Sequence, residues 1–571
     1  MPRLRGAWPP GGTIACLVTS PAHHPKHILV AVGWPYAQGS LHLGHIAGAY
    51  LPPDIFARYH RAIGDKTLMV SGSDVHGTPI TVKAEEEGVT PREIVDRYHP
   101  EFLGNWRDLG INFDLFTTTG TDTHRRVAQG FFMKLLENGY LYRKTVQQFF
   151  DASQQRFLPD RYIEGTCPHC GYEHARGDQC DNCGRTLDPV DLIEPRSKLS
   201  GAAPELRETE HYYWKLSAFN EPLLEWLQSR EDWRPHVLNF AVGMVEEGLH
   251  DRSFTRDLDW GIPLPVDDLG PGKSIYVWWE AVMGYYSAPQ EWAELQGDPE
   301  AWRAWWEDPA AETYYFVGKD NIPFHAVYWP ALLMGHGDLN LPTNVPGNQF
   351  VTFGGRKASK SRGVGRSLQW YLDQFEPDAL RYAIAASFPE SNDTDLSDDE
   401  MVRRVNDELV STWGNLVNRV VSMTHRYFGG VVPEAVDLTA ADTNLLDGID
   451  TMLAEVGEQI AATKLRAGLA TAMAAASTVN VYLSEQEPWK TAKSDLARTG
   501  TTLAVALGAI SGLAVALAPY LPFTSRTVLE TLGFAVPEAG PLWVWEPVPA
   551  GTVLGPAEPL FRKAELPDEE E

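Results

Sequence analysis

The chain has 571 residues, 43% of them hydrophobic, enough apolar side chain for three or more domains with their own cores and no covalent staples. A formal net charge of −28 argues against a protein that coats nucleic acid through a uniformly basic surface, while a local basic groove stays compatible with it. Five cysteines, four of them between Cys167 and Cys183, do not make a disulfide framework and suggest a metal site in a reducing compartment.

Residues 1–26 are rich in Pro and Gly, and their apolar run TIACLV is too short for a signal-peptide core, so the segment reads as a disordered extension. HILVAVG then reads as a strand, HIAGAYLPPDIFARYHRAIG as a helix and TLMVSGSD as a second strand. That spacing predicts a parallel α/β sheet. The clustered cysteines follow, flanked by Pro-rich and polar stretches, before the same texture returns in ETYYFVGKDNIPFHAVYWPALLMGHG. A nucleotide-binding sheet interrupted by an inserted domain accounts for this order. Past about residue 400 the pattern is helical, which predicts a bundle. Within it, TGTTLAVALGAISGLAVALAPYLPFTS carries no charge between Arg498 and Arg526. The run is long enough for a bilayer, but it is dominated by Ala, Gly and Thr and stands alone, so a buried bundle helix is expected. AELPDEEE closes the chain as a solvated acidic tail, and no internal repeat is visible.

Three segments carry chemistry. In WPYAQGSLHLGHIAG, Trp34 to Gly48, a glycine separates His42 from His45 just after the first strand. A strand leading through a Gly-containing turn into a helix favours an anion, because backbone N–H groups and the helix dipole converge there. Histidines on the first turn can add hydrogen bonds to phosphate. Read alone, the pair also fits a metal or plain surface polarity. GGRKASKSRGVGR, Gly354 to Arg366, sets Lys357 and Lys360 among glycines, serines and arginines with no acid, which suits the wrapping of phosphates. A basic surface loop is the alternative. Cys167, Cys170, Cys180 and Cys183 form CxxC-x9-CxxC, whose four thiolates complete one tetrahedral Zn²⁺ site with no open position. Such a site orders a loop-rich insertion and does no catalysis; two unliganded thiol pairs are the alternative. His169 and His174 lie nearby but are surplus to four thiolates.

Together, HLGH and KASKS resemble, in order and separation, the His-Ile-Gly-His and Lys-Met-Ser-Lys-Ser signatures of class I aminoacyl-tRNA synthetases, with Ala358 in the usual Met position. WPYAQGSLHLGH, GSDVHGTPI, GTCPHCG, GDQCDNCG, IEPRSKLSG, FTRDLDWGIPLP, IYVWWEAVMGYY and GKDNIPFHAVYWPA follow the order of the methionyl-tRNA synthetase family. The resemblance runs from His27 to Leu560, nearly the whole chain. It implies an α/β Rossmann-like parallel sheet with an inserted zinc-knuckle connective domain, followed by an all-α anticodon-binding helical bundle. The implied boundaries are a disordered extension over 1–26, a first catalytic half over 27–137, the connective domain over 138–254 and a second catalytic half over 255–347. A stem-contact region with the KASKS loop then spans 348–411, the helical domain 412–560 and the acidic tail 561–571.

The same resemblance implies roles for single residues. His42, His45, Lys357 and Lys360 match ATP-phosphate positions, and Gly318 and Asp320 match positions near the ribose. Arg256 matches an arginine close to the reacting carboxylate and phosphate, although from the residues alone it can equally pair with Asp257 or Asp259. Asp74 matches the anchor for the methionine ammonium, and Gly33, Trp34, Tyr36, Trp278, Ala281, Val282, Tyr285 and His325 match the thioether pocket. Aromatic walls suit a polarizable sulfur. Trp34 stands where many relatives have Leu, and Asn321 where some have Ile. Asn415 and Arg419, on one helix face, and Trp489 match anticodon-reading positions, with polar groups for base edges and an aromatic for stacking. The implied activity joins L-methionine to tRNA(Met) with ATP and Mg²⁺, in the cytoplasm. The chain stops soon after AEPLFRKAEL, short of the further C-terminal module some relatives carry, which predicts a monomer. Two alternatives stay open: a class I synthetase for another apolar amino acid, and a synthetase-like binding protein without catalysis.

Overall fold

The computed structural model describes residues 25–353, the backbone of 356–357, and residues 366–566. The apolar runs expected as strands pair with one another. Gly347–Asn348, Glu312–Gly318, His27–Val32, Lys66–Ser73 and Leu115–Thr118 lie in that order in one sheet, each parallel to its neighbour. Alternate residues of the central strand enter opposite cores: Ile28, Val30 and Val32 on one side, Leu29 and Ala31 on the other. Because both faces are covered, the strand reads as an unbroken apolar run.

After the third strand and its following helix, Asp122–Glu137, the chain leaves the sheet. Leu141–Asp151 pairs antiparallel with Glu205–Trp214, from Leu141↔Trp214 to Phe150↔Glu205. A three-stranded sheet of Ile163–Thr166, Ala175–Arg176 and Ile193–Ser197 accompanies the cysteines. Its core is small, gathered around Leu158, Tyr162, Ile163 and Leu187. A module with so little apolar burial needs another source of order, which a metal held by the four cysteines would supply.

The helix expected after the first strand is in three pieces: a turn Leu43–His45, a π-helical turn Ile46–Tyr50 and an α-helix Leu51–Ala62. Pro52 and Pro53 lack the N–H groups that a regular helix donates to the carbonyls of Gly48 and Ala49, so the ladder cannot run through.

The uncharged run forms the helix Leu496–Leu517, and every residue from Thr499 to Leu517 is buried. It is long and apolar enough to cross a membrane, yet it lies wholly inside the bundle, against Ala440–Ala461 and Leu465–Gln486. Two of its polar side chains bond to other segments: Thr501 Oγ1 donates to the Val436 carbonyl (2.8 Å) and Ser511 Oγ to that of Glu546 (2.9 Å). An unbroken helical stretch from Asp398 to Phe428 passes through the 411/412 position. The join between the two halves of the molecule is therefore a helix.

A buried guanidinium fastens the bundle to the sheet. Arg381, with no solvent exposure, donates to Asp54 Oδ2 (2.7 Å) and to the carbonyls of Leu109, Pro519 and Tyr520. Burial alone would raise the Asp54 carboxyl, but Arg58 and Arg381 hold it below the usual range.

Candidate active site

The site opens at the carboxyl edge of the parallel sheet, where open α/β folds bind ligands. The ends of the first two strands are zipped together beyond the sheet: Ala37 N donates to the Asp74 carbonyl (3.0 Å) and Asp74 N to that of Pro35 (2.8 Å). This places Tyr36 beside Asp74. From the other side comes the helix Val277–Gln296, whose Trp278, Ala281, Val282 and Tyr285 recur at helical spacing and share one face. The turn after Glu312–Gly318 adds Asp320, Asn321, Phe324 and His325, and the inserted domain adds Arg161, Arg176 and Gln179. These residues, with Gly33, Trp34 and His45, enclose a cavity of about 350 Å³. All eight residues expected at the thioether pocket line it, as does Asp74.

The walls are locked by hydrogen bonds. Trp278 Nε1 donates to Tyr36 Oη (2.7 Å). His325 Nδ1 donates to the Asn321 carbonyl (2.8 Å), which leaves Nε2 to accept from Tyr285 Oη (2.7 Å). Burial lowers the His325 pKa to about 4, so the ring is neutral at pH 7. The Trp34 indole fits a slot cut by two glycines: a Cβ on Gly72 or Gly284 would stand 2.2 or 2.5 Å from its ring atoms. The wide side chain at this position is thus matched by missing side chains behind it.

Asp74 is the one acid among these walls that is nearly without exposure, at 2%. Burial, then the charge of Glu280, push its carboxyl well above the usual carboxylate range. Its protein donors are long, His76 N at 3.3 Å and Thr119 Oγ1 at 3.5 Å. A carboxylate so placed gains from a cation entering the cavity.

His42 and His45 stack with ring centroids 3.8 Å apart, and His45 Nδ1 accepts the His42 backbone N–H (3.1 Å). The glycine between them is needed, since a Cβ on Gly44 would stand 2.9 Å from His42 Cε1. The chain that returns from the KASKS segment docks on this turn: Leu368 N donates to the Leu41 carbonyl (2.8 Å), and His42 bridges Ser367. Lys357 lies in a hairpin, its backbone opposite Thr352. Ala358 and Lys360 lie outside the described residues, as does Cys16. Gly318 pairs with Asn348 at the sheet edge, and Asp320 is exposed at the cavity mouth.

Arg256 is not among the residues that line this cavity. It donates to Asp160 Oδ1 (3.0 Å) and lies 3.6 Å over the Tyr276 ring. Neither neighbour in sequence is its partner; Asp257 instead pairs with Lys273 (2.5 Å) and His211 (3.0 Å).

The four cysteines converge, their sulfurs all within 4.8 Å of one another. Cys167 and Cys183 Sγ are 4.0 Å apart, and Cys170 and Cys180 Sγ 3.6 Å. A tetrahedral ion at about 2.3 Å from each sulfur spaces them about 3.8 Å apart, so the donor set fits one. Each CxxC turn closes onto a glycine of positive φ, Gly171 N to Cys167 O (3.0 Å) and Gly184 N to Cys180 O (2.8 Å). On the bundle, Asn415 and Arg419 are exposed, Arg419 reaching Asn480 Oδ1 (3.3 Å), and Trp489 is 37% exposed.

Sequence reasoning missed Arg161, Arg176, Gln179, Phe324 and the buried Glu280. Only Glu280 left a signal, an acid inside the apolar run IYVWWEAVMGYY.

The family model for class I tRNA synthetases (M) matches residues 28–421, and that for the anticodon binding domain of methionyl tRNA ligase matches 432–571. The methionine–tRNA ligase of Roseiflexus castenholzii is 52% identical, the match covering 89% of this chain and 87% of that protein. That of Dehalococcoides mccartyi is 50% identical over 95% of this chain and 97% of its own. Among solved structures, Mycobacterium tuberculosis methionyl-tRNA synthetase in complex with methionyl-adenylate superposes with a TM-score of 0.78 at 26% identity, covering 94% of this chain and 100% of that one. With both halves matched and relatives half identical over nearly its whole length, the chain belongs to the methionine–tRNA ligase family, ATP-dependent class I aminoacyl-tRNA synthetases.

Proposed function

We propose that the cavity at the sheet edge binds L-methionine, its ammonium on Asp74 and its thioether among Trp34, Tyr36, Trp278, Ala281, Val282, Tyr285 and His325, with Gly33 as the floor. The observation that carries this reading is Asp74, a nearly unexposed carboxyl held high in pKa beside the aromatic residues of the cavity wall. ATP would lie with its ribose by Gly318 and Asp320 and its phosphates between His42, His45, Lys357 and Lys360. Mg²⁺ arriving with ATP would offset triphosphate charge. A methionine carboxylate oxygen attacks the α-phosphorus, the bond from that phosphorus to the bridging oxygen breaks, and pyrophosphate leaves. The terminal hydroxyl of tRNA(Met) then attacks the activated carbonyl and AMP leaves. Neither step needs a protein nucleophile; positioning and stabilisation of phosphate charge supply the rate. Arg256, bound to Asp160, would act by orienting the insertion beside the cavity.

Cys167, Cys170, Cys180 and Cys183 would hold one Zn²⁺, which keeps the insertion folded next to the cavity that it helps to wall. Asn415, Arg419 and Trp489 would read the tRNA anticodon, in the initiation and elongation of protein synthesis. Four reduced thiols suit the cytoplasm, and a cavity completed within one chain suits a monomer. ATP–pyrophosphate exchange with each amino acid in turn tests the reading. Exchange with methionine alone supports it, exchange with a different apolar amino acid assigns another substrate, and none at all assigns a binding protein.

A further inference from the structure

The carbonyl of Gly48 sits one turn past His45, at the π-helical turn Ile46–Tyr50. Its own helix cannot satisfy it. The residues four and five further on are Pro52 and Pro53, which have no N–H, and the Leu51 N–H is spent on the Ile46 carbonyl. The missing donor comes from 300 residues away: Asn348 Nδ2 donates to Gly48 O at 2.8 Å, and Asn348 has no solvent exposure. Asn348 is itself held. Arg234 Nη1 donates to its Oδ1 (2.6 Å) and to the Gly347 carbonyl (3.0 Å), while Nη2 reaches the Thr463 carbonyl (3.0 Å) between two bundle helices. With Oδ1 committed to the guanidinium, the amide can only point its N–H groups at Gly48.

Three parts of the molecule meet at this one amide. It caps the helix that carries His42 and His45. It belongs to the strand that pairs with Gly318 and runs on into the hairpin of Lys357. Through Arg234 it is tied to the bundle.

We propose that Asn348 is a positioning residue for adenylate formation, filling the proline-orphaned carbonyl of Gly48 and so setting the His42–His45 turn against the strand that leads to the lysine loop. The inference rests on the phosphate role given above to those histidines. Loss of the amide frees the turn to shift; a misplacement of about 1 Å in such a group costs about a hundredfold in rate, while methionine, held by other residues, binds as before.

The test is methionine-dependent ATP–pyrophosphate exchange on the full chain with N348A, N348D, P52A and N348A/P52A. N348D keeps the shape and the Arg234 contact but presents an oxygen to Gly48, so it decides the matter should N348A fail to fold. Expected is a fall in kcat of about tenfold or more for N348A and N348D with the methionine KM within about twofold. P52A restores an N–H four residues from Gly48, so the double variant should recover most of the loss while P52A alone stays near the parent. Full activity in N348D, or a double variant no better than N348A, overturns the proposal. A parent chain with no exchange overturns the site reading instead.

Discussion

Consider Asp74→Asn, which keeps the shape of the side chain and removes its charge. An ammonium about 3 Å from a carboxylate, at an effective dielectric of about 20, gains about 5 kcal/mol. Part of this is offset by the cost of ionising Asp74 in a buried site next to Glu280, the same cost that pushes its pKa up. A net loss of about 3 kcal/mol, or about 150-fold in kcat/KM for methionine, is expected for the variant. The loss should fall on the methionine KM, with the ATP KM within about twofold, since the phosphates are proposed to lie against His42 and His45 rather than on Asp74. Removing a buried, poorly hydrogen-bonded acid also relieves the free protein, so the Tm should hold or rise. Exchange kinetics with a thermal melt separate these outcomes. An unchanged methionine KM in a folded D74N protein refutes the assignment of the ammonium to this carboxylate.

Lys360→Ala should lower the exchange rate by about a hundredfold while leaving methionine affinity alone, as expected for a charge that matters most in the transition state; an unchanged rate removes Lys360 from the site. Elemental analysis should find one zinc per chain, and Cys170→Ala should strip it and expose the insertion to protease while the sheet resists; retained metal in that variant contradicts the four-thiolate site. Acid should weaken the fold through its neutral histidines. Burial lowers His325 to about 4 and His124 to about 3, against an ordinary value of 6.5. Between pH 6.5 and 4 the unfolded chain therefore binds protons that the folded one does not, so their contribution is complete above pH 6.5 and shrinks below it. Urea titrations at pH 7 and pH 5 should differ by about 4 kcal/mol, at about 1.4 kcal/mol per pH unit below 6.5 for each ring. No difference contradicts the neutral, Tyr285-bonded state of His325.

Local pattern carried the strands, the CxxC pairs and the shared helix face of Trp278, Ala281, Val282 and Tyr285, because spacing alone determines which of those side chains meet. Contacts between distant segments left no such trace. Arg256 finds Asp160, 96 residues upstream, rather than its neighbours Asp257 or Asp259. Arg161, Arg176 and Gln179 reach the cavity only because the insertion folds back over the sheet edge. The Leu496–Leu517 helix looks like a membrane span by composition, and its place in the bundle follows from polar side chains whose partners lie in other segments. The π-helical turn was present in principle in the Pro52–Pro53 pair, but its capping by Asn348 required the fold.

The position of bound methionine is the most direct test of the site. Crystals of the full chain soaked with L-selenomethionine should give one added anomalous peak inside the cavity, between Trp34, Trp278 and Tyr285, with the ligand ammonium on Asp74. Clear binding with the selenium elsewhere, or the cavity left empty while the protein activates methionine, would contradict it.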